Sequence, residues 1–494
     1  MTGRSVPARW WWSPEQIESV GSAVTVLLRD YLTALPGRPV FGPVPDELKR
    51  AWSAEPAPEA GRAVGEILER FAAEIAPYPF GNGHPRFYGW VNAPPQPLGI
   101  FAEALAAAMN PSVAGGDHAA THIERQILRW FADLAGLPGG AGGLLTSGGS
   151  TATLTALAAA RHAAAARAGV DVRAAGVQGA GVRFLLYASS EAHSCVRKAA
   201  ELLGLGSDNI RTVPADEAFR LRPGDLDRML VADQSSGHVP VAVVASAGTV
   251  NSGAIDPLGE IARVCAARDV WLHVDGAYGG PAILLLDDYA DARRAFRHAD
   301  SIAIDPHKWL YIPVDAGMIL FRDPARARDA FSLVPPYLRA DGDSSGVWFS
   351  ELGFDQTRPF RALKIWMALQ HLGLDGYRDL IRHDLQLAAH LRNLVNSSAD
   401  LELLASGLSV TCLRYRPDGW SGSPGQLDDL NTRIVSAIQR RGDAFITGTT
   451  VAGQAALRAC IINPGTVSDD MDLLVDQILT HGSRLRPRHS PPGA

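Results

Sequence analysis

Between Val182 and Phe321 the chain repeats one pattern. Short runs with almost no polar interruption (VRFLLYAS, VPVAVVASAG, VWLHVD, SIAID and GMILF) alternate with longer stretches whose apolar positions recur at helical spacing. A strand that is apolar at every position has no face left for water. The runs therefore predict strands covered on both sides, with the intervening helices as the cover: an α/β architecture built from βαβ units around a mostly parallel sheet. Ahead of this region, Ser13-Pro14 reads as an N-cap followed by proline in the first helical turn, opening a helix to about Leu35. PGRPVFGPVPDE breaks that helix, and another is expected from about Gly61 to Ile75. The Gly-, Pro- and aromatic-rich stretch PYPFGNGHPRFYGWVNAPPQP then suits a loop lining a cavity.

Beyond SELGFDQ, TRPFRALKIWMALQHLG predicts a long helix, and from Asp375 the pattern shifts to a smaller α+β unit. LSVTCLRYRP and QAALRACIIN read as strands, and LDDLNTRIVSAIQRRG as a helix closed by glycine. The expected division is an N-terminal helical segment (residues 1–95), a large α/β domain (96–374), a small C-terminal α+β domain (375–482) and a proline-rich tail (483–494) expected to be disordered.

Composition narrows the class. At 494 residues and 47% hydrophobic, the chain can bury a large core. No run of about 18 apolar residues occurs and the start lacks a basic-then-apolar leader, so a cytoplasmic location without a membrane partner is expected. Cys195, Cys265, Cys412 and Cys460 form no CxxC pair and read as free thiols. A net charge of −6 with no basic block lacks the footprint of a nucleic-acid binder, which leaves a small molecule as the expected partner.

Among 46 Lys and Arg residues, only Lys49, Lys198, Lys308 and Lys364 are lysines. Lys308 nevertheless sits between the apolar runs SIAI and WLYI, where a solvated charge is out of place. Ligands of open α/β sheets gather at the carboxyl ends of strands. Asp275 ends VWLHV there, Lys308 follows SIAI, His193 follows LLYAS, and SGGST (147–151) precedes an Ala-rich helix expected from about Thr151. Each has a blander reading: a turn, a helix cap, a core histidine, or a lysine whose stem lies along apolar surface. Taken together they suggest pyridoxal 5'-phosphate. A buried lysine with a depressed pKa would hold its aldehyde, the glycine-rich helix start its phosphate, and the aspartate its ring nitrogen. His118 and His122 stand four apart but lack a third ligand, so no metal is expected.

The stretches TSGGSTATLTAL, YASSEAHSCVRKAAELLG, HVDGAYGGPA, DPHKW and TRPFRALKIW resemble the pyridoxal-phosphate-dependent group II decarboxylases, the family of aromatic-amino-acid and glutamate decarboxylases. The resemblance runs from about HPRFYGW to ALRACIINP. It implies the fold-type-I, aminotransferase-like architecture and a homodimer with shared active sites. It matches Lys308 to the Schiff-base lysine, His307 to its neighbour, Asp275 to the partner of the pyridine nitrogen, Ala277 to a ring-packing contact and His193 to the stacking histidine. Gly149 and Ser150 match the phosphate loop, Thr249 a further cofactor contact, and Trp90, Val91 and Asn92 the substrate pocket.

The sequence also departs from the family. Asp305 stands where the best-known aromatic members carry asparagine, and a carboxylate there would repel phosphate. Counting back from RALKIW, Phe349 falls where many members carry the loop tyrosine that protonates the carbanion. The implied activity is decarboxylation of an L-amino acid or amino-acid conjugate at Cα. The alternatives are decarboxylation-coupled oxidative deamination to an aldehyde, signalled by Phe349, and β-elimination or transamination on the same fold.

Overall fold

The structure, a computed structural model, describes residues 10–333 and 347–486. Its centre is a seven-stranded sheet made of β1 (Gly142–Thr146), β2 (Phe184–Ser189), β3 (Ile210–Val213), β4 (Val239–Ser246), β5 (Trp271–Asp275), β6 (Ser301–Ile304) and β7 (Gly317–Phe321), in the order β1-β7-β6-β5-β4-β2-β3. β2 to β6 run parallel, while β7 is antiparallel to both β6 and β1. The five expected runs are all strands. β1 and β3 were not expected, for reasons visible in their residues. GGLLT begins with two glycines, and β3 is a partly exposed edge strand carrying Arg211 and Thr212, so neither shows the continuous apolar signal of a central strand. Gly143 is required in β1, because any Cβ there would collide with the backbone of Ile319 across the β1–β7 ladder.

The helix Gly149–Arg167 packs beneath this sheet. Its buried positions are mostly alanine, which lets its backbone lie close to the strands. It starts two residues earlier than expected, placing Gly149 and Ser150 in its first turn. The helix Ala362–Ser397 is interrupted at Gly373 (φ 63°, ψ 172°), where a left-handed φ bends the path at a residue without a Cβ. Beyond it, β8 (Leu401–Gly407), β9 (Val410–Tyr415), β10 (Thr447–Val451) and β11 (Gln454–Cys460) form an antiparallel sheet in the order β10-β11-β9-β8. The helices Pro424–Arg441 and Ser468–Leu485 close a second core around Leu430, Ile434, Leu474 and Ile478. The last helix reaches past residue 482, and 487–494, the rest of the expected tail, lie outside the described residues.

The N-terminal helix Pro14–Ala34 opens with a capping box in which the Ser13 hydroxyl accepts from Gln16 N–H and the Gln16 side chain accepts from Ser13 N–H. The helix expected near 61–75 splits into an α-helix, Val64–Arg70, and a π-helical turn, Phe71–Ile75. A short helix, Asp46–Ala54, begins at the end of the stretch read as a break.

Candidate active site

The carboxyl ends of β5 and β6 set the frame. Asp275 closes β5, in register with Ser246 of β4 and Ala303 of β6, and its Oδ1 accepts a 3.1 Å hydrogen bond from Ala277 N–H. After β6 the chain turns tightly. Lys308 N–H donates to Asp305 O (3.0 Å), and Asp305 N–H donates to Ala277 O (3.3 Å), so the DPHK turn lies back on the segment following β5. Lys308 Nζ is thereby placed 3.0 Å from Asp305 Oδ2. The lysine side chain keeps 22% of its surface exposed, against 3% for the aspartate.

Glycine brings the third segment in. A Cβ at Gly149 would stand 2.9 Å from Ala277 Cβ and 3.0 Å from Asp305 Oδ2, and one at Gly148 would stand 3.3 Å from His307 Cε1. Only because these residues lack side chains does the start of the helix Gly149–Arg167 touch both strand-end loops. Gly148 caps that start with no side-chain hydrogen bond, so its first-turn N–H groups carry the positive end of a nineteen-residue helix with Ser150 exposed beside them. His193 completes the group from the loop after β2. Its Nδ1 accepts from Cys195 N–H at 3.2 Å, which leaves Nε2 as the protonated nitrogen of the neutral ring.

The electrostatics tie these residues together and correct one expectation. Burial lowers the pKa of His193, while Asp275 pulls it up and Lys308 pushes it down, so all three lie within one another's fields. Burial likewise works against the Lys308 ammonium. Asp305 and then Asp275 more than reverse that effect, and the lysine is held above its ordinary range. The depressed lysine expected from apolar flanks is therefore not found, because its own turn folds Asp305 onto the amine and Asp275 arrives from β5. His307 is also lowered by burial, with Nδ1 2.7 Å from Ala316 O and Nε2 3.8 Å from Asp305 Oδ2. The Cys195 thiol is pushed up to about 12 by burial and is not a nucleophile at neutral pH.

Other candidates lie differently. The Thr249 hydroxyl stands 2.8 Å from Ser252 Oγ and accepts from Ala254 N–H, closing its own turn. Val91 is buried and Asn92 exposed. Trp90 adopts a left-handed φ of 48°, unusual for a bulky residue, and stacks on Phe80 (4.9 Å between centroids). Phe349 is not brought to this group. Its buried ring lies 4.8 Å from the Arg358 guanidinium and 5.8 Å from that of Arg125, over the buried Arg358–Glu124 ion pair. The cavity it lines, with Arg125, Arg129, Arg328 and Leu352, includes none of Lys308, Asp275 or His193. His118 and His122 turn to separate partners, His118 to Gly115 O and Thr121, His122 to Asp117.

Two residues tie the surroundings together without having been singled out. Arg458, 4% exposed on β11, donates to Trp90 O (2.8 Å) and Val250 O (2.6 Å), joining the aromatic loop to the Thr249 turn. Its signal was an arginine inside the apolar run AALRACII. Asp384, on the bent helix, accepts from Trp309 Nε1 (2.8 Å) and Tyr311 OH (2.6 Å), anchoring the segment just after Lys308. HDLQLAAH gives no sign of that role.

Among the described residues, a helix start without a side-chain cap, a strand-end carboxylate, a lysine with a partly exposed side chain and a half-buried imidazole come together. They fit the phosphate, ring nitrogen, aldehyde and ring face of pyridoxal phosphate; the Asp305 carboxylate beside the helix start is the one feature that opposes it. These features define a lysine-anchored pyridoxal-phosphate enzyme of fold type I. Residues 45–416 match the model of the pyridoxal-dependent decarboxylase conserved domain, and the chain belongs to that family. It is 32% identical over 464 residues to an aromatic-L-amino-acid decarboxylase of Bacillus atrophaeus, covering 93% of this chain and 94% of the relative. It is also 32% identical over 445 residues to the L-2,4-diaminobutyrate decarboxylase of Rhizobium meliloti (strain 1021), covering 89% and 86%. The solved structure of Oryza sativa TDC with PLP and tryptamine superposes with a TM-score of 0.90 at 26% identity, covering 98% of this chain and all of that one. The protein is a pyridoxal-phosphate-dependent carboxy-lyase acting on an amino acid.

Proposed function

We propose that Lys308 holds the cofactor aldehyde, Asp275 the pyridine nitrogen, and the first-turn N–H groups at Gly149 and Ser150 the phosphate, with His193 and Ala277 against the ring. When bound, the cofactor supplies an electron sink for the pair left at Cα as the carboxylate departs. Asp275 keeps a proton on the ring nitrogen by its negative charge. The neutral His193 ring, oriented through Nδ1, offers a flat face and a single N–H. Burial of the surrounding residues excludes water from the departing carboxylate. Thr249 supports this group through its turn, and Trp90, Val91 and Asn92 border the substrate's side chain, with Arg458 fixing the Trp90 carbonyl. The observation that carries the reading is the approach of Gly149 to Ala277 and Asp305, which joins three sequence-distant segments around Lys308.

The test uses the scarcity of lysine. Borohydride reduction of the loaded enzyme followed by peptide mass mapping must place the pyridoxyl group on Lys308; a label on Lys49, Lys198 or Lys364 contradicts the assignment.

The active form is proposed to be a cytoplasmic homodimer. Among the described residues the helix Pro14–Ala34 buries none of its side chains, while Ile17, Val24 and Val26 stand 60%, 37% and 44% exposed, preceded by exposed Trp10, Trp11 and Trp12. Phe101, Leu105 and Met109 form a second exposed row at helical spacing. Apolar surface on this scale calls for a covering partner, and a second copy of the chain supplies one.

A further inference from the structure

The DPHK turn carries one feature that anchoring the cofactor does not need. Asp305 is 2% exposed, and among the described residues only one of its carboxylate oxygens is used: Oδ2 lies 3.0 Å from Lys308 Nζ, whereas Oδ1 is buried without a hydrogen-bond partner there. A buried unpaired carboxylate oxygen is costly, on the order of 1–3 kcal/mol, and an asparagine of nearly the same shape would lower the charge cost at that position. The carboxylate also faces the start of the helix Gly149–Arg167, where phosphate is expected, so for holding phosphate it is the wrong sign. What it does serve is the ammonium group.

We propose that Asp305 is a positioning residue that holds Lys308 as its ion-pair partner and thereby gates, according to pH, the condensation of that amine with the cofactor's aldehyde. The inference rests on the reading of Lys308 as the cofactor lysine. Condensation requires the free amine. The ammonium first gives its proton to solvent, the nitrogen lone pair then forms the C=N bond, and the aldehyde oxygen leaves as water. Every charge near Nζ bears on the first of these steps. Asp305 is nearest and belongs to the same turn, and Asp275 acts with it from β5. His307, 3.8 Å from Asp305, His193, from the loop after β2, and Cys195, which opens the helix that follows, are kept neutral by burial, while Lys198 acts on His193. Of the two carboxylates, Asp275 is committed to Ala277 N–H and to the ring nitrogen, so Asp305 is the one free to answer to the lysine.

The experiment measures how fast the enzyme, stripped of cofactor, forms its covalent link to two aldehydes across a pH series. The probes are pyridoxal 5'-phosphate and pyridoxal, which lacks the phosphate. The variants are Asp305→Asn and Asp305→Ser, each checked for a native circular-dichroism spectrum and melting transition. The expected result is that both variants move the pH midpoint of condensation downward for both probes. A midpoint lowered by one unit corresponds to about tenfold faster condensation below it. Unchanged midpoints with both probes overturn the proposal and leave Asp305 a structural residue. A change confined to pyridoxal 5'-phosphate also overturns it, because the carboxylate then acts on phosphate and not on the amine. Lys308→Ala is run beside them. Loss of the link in that variant keeps the cofactor-lysine reading, so a null result with Asp305 counts against the gating alone, whereas a link that survives Lys308→Ala refutes the reading beneath it.

Discussion

Phe349 and Lys308 illustrate what a single position can decide. If Phe349 stood over the cofactor, its lack of an acidic proton would divert the product to an aldehyde; instead its ring packs on Arg358 and Arg125 above a buried ion pair. Phe349→Tyr is therefore expected to leave the product an amine and to lower stability by about 1–3 kcal/mol, since a hydroxyl is forced into a packed contact. Product analysis of the parent and this variant checks the first part, and an aldehyde that appears or vanishes with the residue at position 349 would contradict the packing. The gathering of Lys308, Asp275, His193 and Gly149 was legible because each is polar or lacks a side chain at the end of an apolar run, where the sequence leaves little else for it to do. Phe349 is not brought to that group within the chain: its expectation rests on a count across a loop, and no local pattern fixes a register there. The protonation of Lys308 was illegible for another reason: it depends on how the turn folds Asp305 onto the amine and on Asp275 arriving from β5.

At the scale of elements, the bent helix Ala362–Ser397 does more than close the core. Through Asp384 it grips Trp309 and Tyr311, so the segment that carries Lys308 is fixed at its far end by a fully buried carboxyl group. Burial pushes that carboxyl up to about 7. Because the folded-state value lies above the ordinary 3.8, the folded protein binds a proton the unfolded chain releases. The resulting stabilisation is complete below about pH 4 and is lost as pH rises through about 7, a matter of a few kcal/mol at most. Asp384→Asn, which cannot ionise, is expected to gain in Tm relative to the parent as pH increases from 5 to 8. A difference in Tm that stays constant over that range would contradict the account. The central strands and the helix between β1 and β2 were readable from apolar runs and alanine spacing. β1 and β3 were not, because one is glycine-led and the other is an edge strand whose polar residues face water.

Across the whole molecule, the loops after β4 and β5 meet the β8–β9 hairpin where Tyr278 OH stands 2.7 Å from Ser409 Oγ, and where Gly253 and Gly407 approach so closely that neither tolerates a Cβ. The large and small units are thus held in one arrangement around the carboxyl ends of β4 to β6, with Arg458 bridging from β11 to the aromatic loop. Among the described residues, the N-terminal helix buries none of its side chains in this arrangement. Ile17→Glu combined with Val24→Glu is expected to convert the assembly to monomers in sedimentation velocity, with loss of activity if the site is shared between subunits; an unchanged dimer would show that this face is not the contact. The α/β class and the smaller C-terminal unit could be read from the order of apolar patterns. The way the units join could not, because it rests on glycine backbones meeting at van der Waals distance, and sequence spacing carries no record of that.

The central claim, that this chain removes the carboxylate of an amino acid at Cα and returns a proton in its place, is tested most directly by its products. Purified, pyridoxal-phosphate-loaded protein is incubated with a pooled panel of L-amino acids, with amines and aldehydes followed by mass spectrometry and dissolved oxygen recorded in the same vessel. The account predicts one or a few amines, carbon dioxide in equal amount, and no oxygen consumption. Products that retain the carboxylate, or an aldehyde formed with matching oxygen uptake, would contradict it.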